Sequence, residues 1–278
     1  MERRIVDIGD GALEAVIAGD GPVTVVFENG LATPLEEWDN IAPPVAERAR
    51  TVRYDHRYAS PTGPFHRRSI LDVLSDLEEL LTALSLKPPY IFVGHSWGGV
   101  MARLFADAHP SDVVGLVFVD ATHEAIDSRA LAMLPAMYSV MLLLSRAKTV
   151  RRSLIRQLCP PSAPPGFRAR IEQRLHDPVR WPIGLRTARA ESAAISEALA
   201  RLRRNCPDLP PIPVHVLTGG VNTKSAQRAR EAWQAAVARA PRAKYTNLPN
   251  TGHNVPFDAP DAVIDAVNAV LESVGKAP

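Results

Sequence analysis

A serine set between glycines is the first residue whose type and spacing could do chemistry. Residues 94–99 read Gly-His-Ser-Trp-Gly-Gly, so Ser96 has a glycine two positions away on each side. A run typical of a strand precedes the pattern, and helical spacing follows it. Glycines permit a sharp strand-to-helix turn that exposes the hydroxyl above a helix N-terminus, where negative charge is favoured. We predict that Ser96 is a nucleophile; the alternative is a serine that only caps the helix.

A histidine near the C-terminal end of the sequence is the candidate general base. Serine is a weak nucleophile and needs a base whose pKa lies near 7. His253 follows the last predicted strand, from where it can reach back over the sheet edge. His95 is a candidate support for the serine turn. Four further histidines are expected on polar surfaces, His56, His66, His109 and His176, and His215 is expected to pack in a strand.

Two backbone N–H groups are candidates for an oxyanion hole, which needs two fixed donors. One belongs to Trp97, directly after the serine. The other is expected on the loop after the predicted strand Val23–Phe27, where Gly30 permits a turn and Leu31 supplies the donor. An ordinary turn is the alternative for this loop.

The elements that must position these residues alternate between strands and helices, which predicts a mostly parallel sheet covered on both faces. A helix is predicted over Ser69–Leu84 with Ser69 as N-cap, and another over Leu35–Arg48 with a break near Pro43-Pro44. Residues 123–205 hold no convincing strand and are interpreted as a helical insertion broken by prolines. The further predicted strands are Arg50–Tyr54, Tyr90–Val93, Val113–Val119, Val214–Leu217 and Lys244–Leu248.

The motifs together resemble the α/β-hydrolase superfamily along nearly the whole chain. The Asn29-Gly30 loop, the serine turn and Thr251-Gly252-His253 carry the resemblance, as does Tyr54–Ser60, where Tyr58 and Ala59 replace the usual small residues. The resemblance implies an eight-stranded, mostly parallel sheet with a helical cap after strand six. Residues 1–122 and 206–278 would then form the catalytic core, and residues 123–205 the cap.

The acid that orients the histidine departs from the usual pattern of the superfamily. Its members commonly carry this acid after strand seven, where the present chain has Asn222 and no carboxylate before Glu231. Other members carry it after strand six, which corresponds to Asp120. A carboxylate at the end of a buried strand is costly unless it has a role, so Asp120 is our candidate. A helix or turn cap is the alternative for Asp120, and Glu124 is a weaker substitute.

The resemblance implies a serine hydrolase that acts on a carboxylic ester or on a related lactone, thioester or amide. Such an enzyme needs no cofactor and no metal, and its substrate is expected to be a small molecule with an apolar acyl or alkyl part. A serine nucleophile disfavours the branches that use aspartate, the dehalogenases and epoxide hydrolases. The alternative functions are those of other proteins with this fold: a lyase, a cofactor-free haloperoxidase, an acyltransferase or a ligand-binding receptor.

Composition narrows the partners and shows an uneven charge. The chain has 278 residues with a net charge of +2, which argues against a dedicated nucleic-acid binder. Residues 1–145 carry a net charge of −9 and residues 146–204 one of +10, so attraction could hold the insertion on the core. The longest apolar stretch, Ala130–Leu144, is too short to span a bilayer, and a cytoplasmic protein without stable membrane insertion is expected. The sequence does not decide whether Cys159 and Cys206 form a disulfide.

Overall fold

The computed structural model describes residues 1–9, 11–56, 69–126, 131–144, 147, 149–150, 152, 155, 159–177, 180–221 and 223–275. The stretch Arg57–Ser60, which contributed to the family resemblance, and Asn222, the alternative partner of the histidine, lie outside these residues. Within the described part of the chain, no helix is both long and apolar enough to cross a membrane.

Eight strands form one sheet in the order β1-β2-β4-β3-β5-β6-β7-β8. The pairs β1–β2 and β2–β4 are antiparallel, whereas the pairs from β4 through β3 and β5 to β8 are parallel. The fold class expected from the sequence is therefore confirmed. The strands are β1 (Glu2–Asp7), β2 (Ala12–Ala18), β3 (Thr24–Glu28), β4 (Arg50–Tyr54), β5 (Tyr90–His95), β6 (Val113–Val119), β7 (Val214–Gly219) and β8 (Ala243–Leu248).

Apolar side chains cover both faces of the sheet, as the uninterrupted hydrophobic runs of the central strands predict. Along β3, Val25 and Phe27 belong to one buried cluster and Val26 to another, because successive side chains of a strand point to opposite faces. The helices outside the β6–β7 connection are α1 (Ala42–Val45), α2 (Ile70–Ala83), α3 (Trp97–Ala108), α7 (Lys224–Ala238), α8 (Val255–Asp258) and α9 (Pro260–Gly275).

In its described residues, the connection between β6 and β7 contains three long helices, α4 (Leu134–Leu144), α5 (Pro165–His176) and α6 (Arg180–Asn205). Helix α6 joins the main core because Ile195, Leu199 and Leu202 are buried in the cluster formed by α2 and α3. Helix α4 packs along α6. The elements that the structure describes in this connection are thus helices, as the sequence predicts.

Charged contacts tie the connecting helices to the first strands of the sheet. Arg170 on α5 lies 2.8 Å from Glu14 and 3.0 Å from Glu36, and Arg3 also pairs with both carboxylates. These contacts agree in sign with the opposite net charges of the two segments. Cys159 and Cys206 are both free thiols.

The fold differs from the sequence-based expectations at two places near the N-terminus. The N-terminal hairpin of β1 and β2 was not read from the pattern, because β1 is exposed along nearly its whole length and lacks an apolar run. The helix expected over Leu35–Arg48 is instead a 3-10 turn, Leu35–Trp38, followed by the short α1. Proline lacks a backbone N–H and is therefore tolerated in the first turn of a helix, where this group has no partner within the helix. Pro43 and Pro44 accordingly lie at the start of α1 and do not break a longer helix.

Candidate active site

The serine turn joins β5 directly to α3. Ser96 has φ 51° and ψ −115°, a conformation that costs a non-glycine residue about 1–3 kcal/mol. The flanking glycines make room for it. A Cβ on Gly94 would lie 2.5 Å from the carbonyl oxygen of Gly98, and one on Gly98 would lie 2.2 Å from that of Glu28. Only glycine therefore fits at either position without a backbone shift.

A continuous chain of hydrogen bonds links three of the residues singled out from the sequence. Nε2 of His253 lies 3.0 Å from Oγ of Ser96, and Nδ1 of the same ring lies 2.6 Å from Oδ2 of Asp120. The imidazole of His253 is half-exposed, which leaves the hydroxyl side accessible. Glu124, the weaker candidate for the acid, instead lies 2.5 Å from Arg103. The structure thus brings Ser96, His253 and Asp120 together.

Asp120 is held by its backbone as well as by the histidine. It follows β6 with φ 41°, its N–H donates to the carbonyl of Leu217, and Oδ1 accepts from the N–H of Gly219 at 2.8 Å. Burial by itself would raise the pKa of Asp120. The hydrogen bond and charge of His253, with the Gly219 N–H, outweigh that effect, so the pKa lies below its usual value. The carboxylate is therefore ionised and fixed where it can hold an imidazolium.

The loop after β3 lies against the serine turn. Asn29 fixes its start, since the side chain donates to the carbonyl of Tyr54 at 2.6 Å and accepts from the indole N–H of Trp38 at 2.8 Å. Leu31 is half-buried in this loop. Trp97 is the first residue of α3, where N–H groups have no partner within the helix. The two expected oxyanion donors therefore lie on segments that contact each other, and their role stays a prediction.

His95 connects the base to the same loop. This buried ring lies 2.6 Å from Glu37 through Nδ1 and 2.9 Å from the backbone carbonyl of His253 through Nε2. The second oxygen of Glu37 accepts the N–H of Gly30 at 3.0 Å. Burial opposes the cationic ring, but the charge and hydrogen bond of Glu37 outweigh it and raise the pKa of His95. The sequence suggested that His95 supports the turn; no local signal pointed to Glu37.

A second buried histidine was misread from the sequence as a surface residue. His56 is 5% exposed and lies between two buried carboxylates, 3.2 Å from Glu28 and 3.3 Å from Glu191 of α6. Tyr54 donates its hydroxyl to the other oxygen of Glu28 at 2.7 Å. Burial would lower the pKa of His56, but the two carboxylates raise it well above its usual value. This cluster joins α6 to the ends of β3 and β4.

A cavity of about 240 Å³ opens beside the acid and the base. Its lining includes Asp120, His253, Thr218, Val221 and Trp233 and is mainly apolar. A small apolar group therefore fits next to the histidine.

Comparison with known proteins identifies relatives of this architecture. A model of the alpha/beta hydrolase family matches residues 25–266. The uncharacterized protein YqjL of Bacillus subtilis is 33% identical over 103 residues, which are 37% of this chain and 41% of that protein. A fluoroacetate dehalogenase of Burkholderia is 33% identical over 126 residues, 43% of this chain and 41% of the dehalogenase. The chain thus aligns with less than half the length of these curated relatives.

One solved structure shows how far the likeness of fold extends. The epoxide hydrolase CorEH superimposes with a TM-score of 0.72 over 98% of both chains, at 21% sequence identity. At that identity the likeness concerns the fold.

Proposed function

This chain belongs to the alpha/beta hydrolase family, and from its site residues we propose that it is a serine hydrolase that cleaves carboxylic esters. The observation that carries the proposal is the continuous hydrogen-bond chain from Asp120 through His253 to Ser96. In this arrangement each group has the partner that its task requires: the hydroxyl has a base, and the base has a fixed carboxylate.

The proposed reaction proceeds through an acyl-enzyme. Oγ of Ser96 attacks the ester carbonyl while Nε2 of His253 takes the hydroxyl proton. The tetrahedral intermediate collapses when the same imidazolium returns the proton to the leaving alcohol. Water then attacks the acyl group with His253 again as base, and the imidazolium returns this proton to Oγ of Ser96 as the acid product leaves. Asp120 keeps the histidine in the required tautomer and stabilises its cation.

The backbone N–H groups of Leu31 and Trp97 are proposed to hold the oxyanion. Negative charge develops on the carbonyl oxygen only during the attack, so donors that are fixed beforehand stabilise the transition state more than the substrate. The anchoring of Asn29 and the bond from Gly30 to Glu37 keep the loop in place before substrate arrives.

The chemistry of serine favours acyl transfer over the reactions named for some relatives. Displacement at a saturated carbon by a serine oxygen would leave an ether, and a site built to hydrolyse an acyl group provides no route to cleave it. An acyl ester on Ser96, in contrast, has a carbonyl that water can attack. A serine nucleophile therefore does not suit the reactions for which the dehalogenase and epoxide hydrolase relatives are named.

The connecting helices are proposed to be a cap, residues 123–205, on the core formed by residues 1–122 and 206–278. Tyr138 and the half-buried Leu134 and Leu142 of α4 pack beside Leu31, so α4 covers the proposed oxyanion loop. Such an apolar cover suits a small substrate with an apolar acyl or alkyl part.

A covalent probe tests the proposal. We expect a fluorophosphonate to label the wild-type chain on Ser96, and p-nitrophenyl esters to be hydrolysed, with chain length, lactones and arylamides compared in parallel. Ser96→Ala should abolish both signals, whereas Ser75→Ala, which changes an exposed serine of α2, should leave them intact. A folded wild-type chain that neither reacts with the probe nor turns over any of the esters would contradict the proposal and favour a binding protein of the same fold.

A further inference from the structure

Helix α4 is apolar on two faces, and the described residues of the chain cover only one of them. Its inner face holds Tyr138, buried against Leu185 and Ala188 of α6. The outer face consists of large apolar side chains that remain in solvent. Their exposed fractions are 70% for Met133, which directly precedes the helix, 45% for Met137, 53% for Val140, 76% for Leu143 and 48% for Leu144.

The exposed side chains form one stripe. Met133, Met137, Val140 and Leu144 follow each other at intervals of four, three and four residues, which places them on a single helical face. A helix that is apolar all round normally lies in a protein interior, and a contiguous exposed apolar patch marks an interaction surface. We call this stripe, together with Leu143, the outer face of α4.

The charge of the sequence before and after α4 indicates the kind of partner. Residues 128–171 contain no aspartate or glutamate at all. This stretch begins before α4 and continues after it. Its basic residues are Arg129, Arg146, Lys148, Arg151, Arg152, Arg156, Arg168 and Arg170. A second copy of the chain would bring two such basic stretches together and is disfavoured by repulsion, whereas an anionic surface would be attracted.

We propose that the outer face of α4 docks on an anionic lipid surface. Methionine, valine and leucine side chains would enter the boundary between headgroups and acyl chains, while the arginines and lysine of residues 129–156 pair with anionic headgroups. Methionine suits this role because its flexible side chain adapts to an irregular apolar surface. The contact is peripheral: the stripe extends along a helix of 11 residues, about 17 Å at 1.5 Å per residue, and lies parallel to the surface.

Docking of this face would place the active site next to the lipid. The inner face of α4 packs against Leu31 and Ala32 of the proposed oxyanion loop, so one helix separates the bound surface from the loop. An apolar substrate dissolved in the lipid would then have a short path to Ser96. This second step rests on the proposed function; the docking itself does not.

Vesicle binding tests the docking without any assay of activity. The purified chain is sedimented with vesicles of phosphatidylcholine alone or with phosphatidylglycerol added. We expect partitioning to be at least about tenfold stronger with the anionic vesicles, and to weaken as NaCl is raised from about 0.05 M to about 0.5 M. Recovery of the chain in the supernatant with both vesicles, or equal binding to both, would overturn the proposal.

A pair of variants separates the outer face from surface hydrophobicity in general. M133S/L143S removes the two most exposed side chains of the face and is expected to weaken binding to anionic vesicles about tenfold or more. I5S/L71S is the matched control, because these side chains are 69% and 52% exposed but lie on β1 and α2. Circular dichroism verifies that both fold.

Two results would contradict the role of this face. Equal vesicle binding by both double variants would assign the contact elsewhere. A wild-type dimer in analytical ultracentrifugation that M133S/L143S alone dissociates would assign the face to a second copy. Labelling of Ser96 by the fluorophosphonate is measured on the same samples, so that a failure of the hydrolase proposal is distinguishable from a failure of docking.

Discussion

Oδ2 of Asp120 lies 2.6 Å from Nδ1 of His253, although 133 residues separate them in the chain. The contact exists because β6, β7 and β8 are consecutive parallel strands of the sheet. The end of β6 and the loop after β8 therefore lie at the same edge. The other carboxylate oxygen is occupied by the N–H of Gly219. Asp120 is thus fixed by two bonds in the position that a triad acid requires.

Asp120→Asn should lower kcat by about 10⁴-fold, since an amide cannot hold the imidazolium or impose the required tautomer. Asparagine tolerates the positive φ of this position and can still accept from Gly219, so the fold should persist. Steady-state kinetics and thermal unfolding measure the two effects. Asp112→Asn, in the turn before β6 and away from His253, is the control. Turnover near that of the wild type in a folded Asp120→Asn chain would exclude this acid.

His95→Asn and Glu37→Gln should each lower kcat about 10- to 100-fold with little change in KM, because displacement of the His253 loop or of Gly30 by a fraction of an ångström misaligns the reacting groups. Neither residue contacts Ser96 through the bonds described, so both act by positioning. His109→Asn and Glu78→Gln alter a partly exposed His–Glu pair of 2.8 Å and serve as controls.

A rise in KM with kcat unchanged would contradict this positioning role. A fall in kcat no larger than that of the control variants would contradict it as well. A purely structural role would instead show as a lowered melting temperature with normal kcat at low temperature. Both quantities are measured on the same four variants.

Local patterns predicted the central part of the fold well. Ser69, the N-cap expected from the sequence, starts α2, where the structure adds a capping box with Asp72, and the glycines around Ser96 mark a turn that only they permit. The pairing of His56 with Glu28 and Glu191 could not be predicted, since the two carboxylates lie 163 positions apart and no local spacing relates them to the histidine. Buried charge clusters of this kind follow from tertiary structure, which brings α6 onto the ends of β3 and β4.

Gly98→Ala should impair both stability and turnover. The added Cβ would meet backbone atoms of Glu28 and Asn29 at 2.2–2.8 Å, so the loop that carries Leu31 must move. We expect a loss of about 1–3 kcal/mol in the free energy of unfolding, together with a fall in kcat. Gly275→Ala, where nothing lies within 4 Å of the new Cβ, is the control. Denaturant titration measures the free energy of unfolding of both variants. Equal values would contradict the close approach of Gly98 to the backbone of Glu28 and Asn29.

The cluster around His56 should make stability depend on pH. The pKa of His56 is raised in the folded chain above its ordinary value of 6.5, so the folded state binds the proton more tightly than the unfolded state does. The stabilisation is therefore complete below about pH 6.5 and is lost as the pH rises through the folded pKa. His95 has a shift of the same sign and adds to the effect.

His56→Gln should lower the free energy of unfolding at about pH 6 by about 3 kcal/mol, since the buried Glu28 and Glu191 then lose the cation that lies between them. The decline of stability between about pH 6 and about pH 9 should become shallower than in the wild type, because one of the two responsible histidines is absent. Urea titrations across this range measure both quantities, with the exposed His176→Gln as control. An unchanged slope in His56→Gln would show that the proton of His56 is not retained in the folded chain.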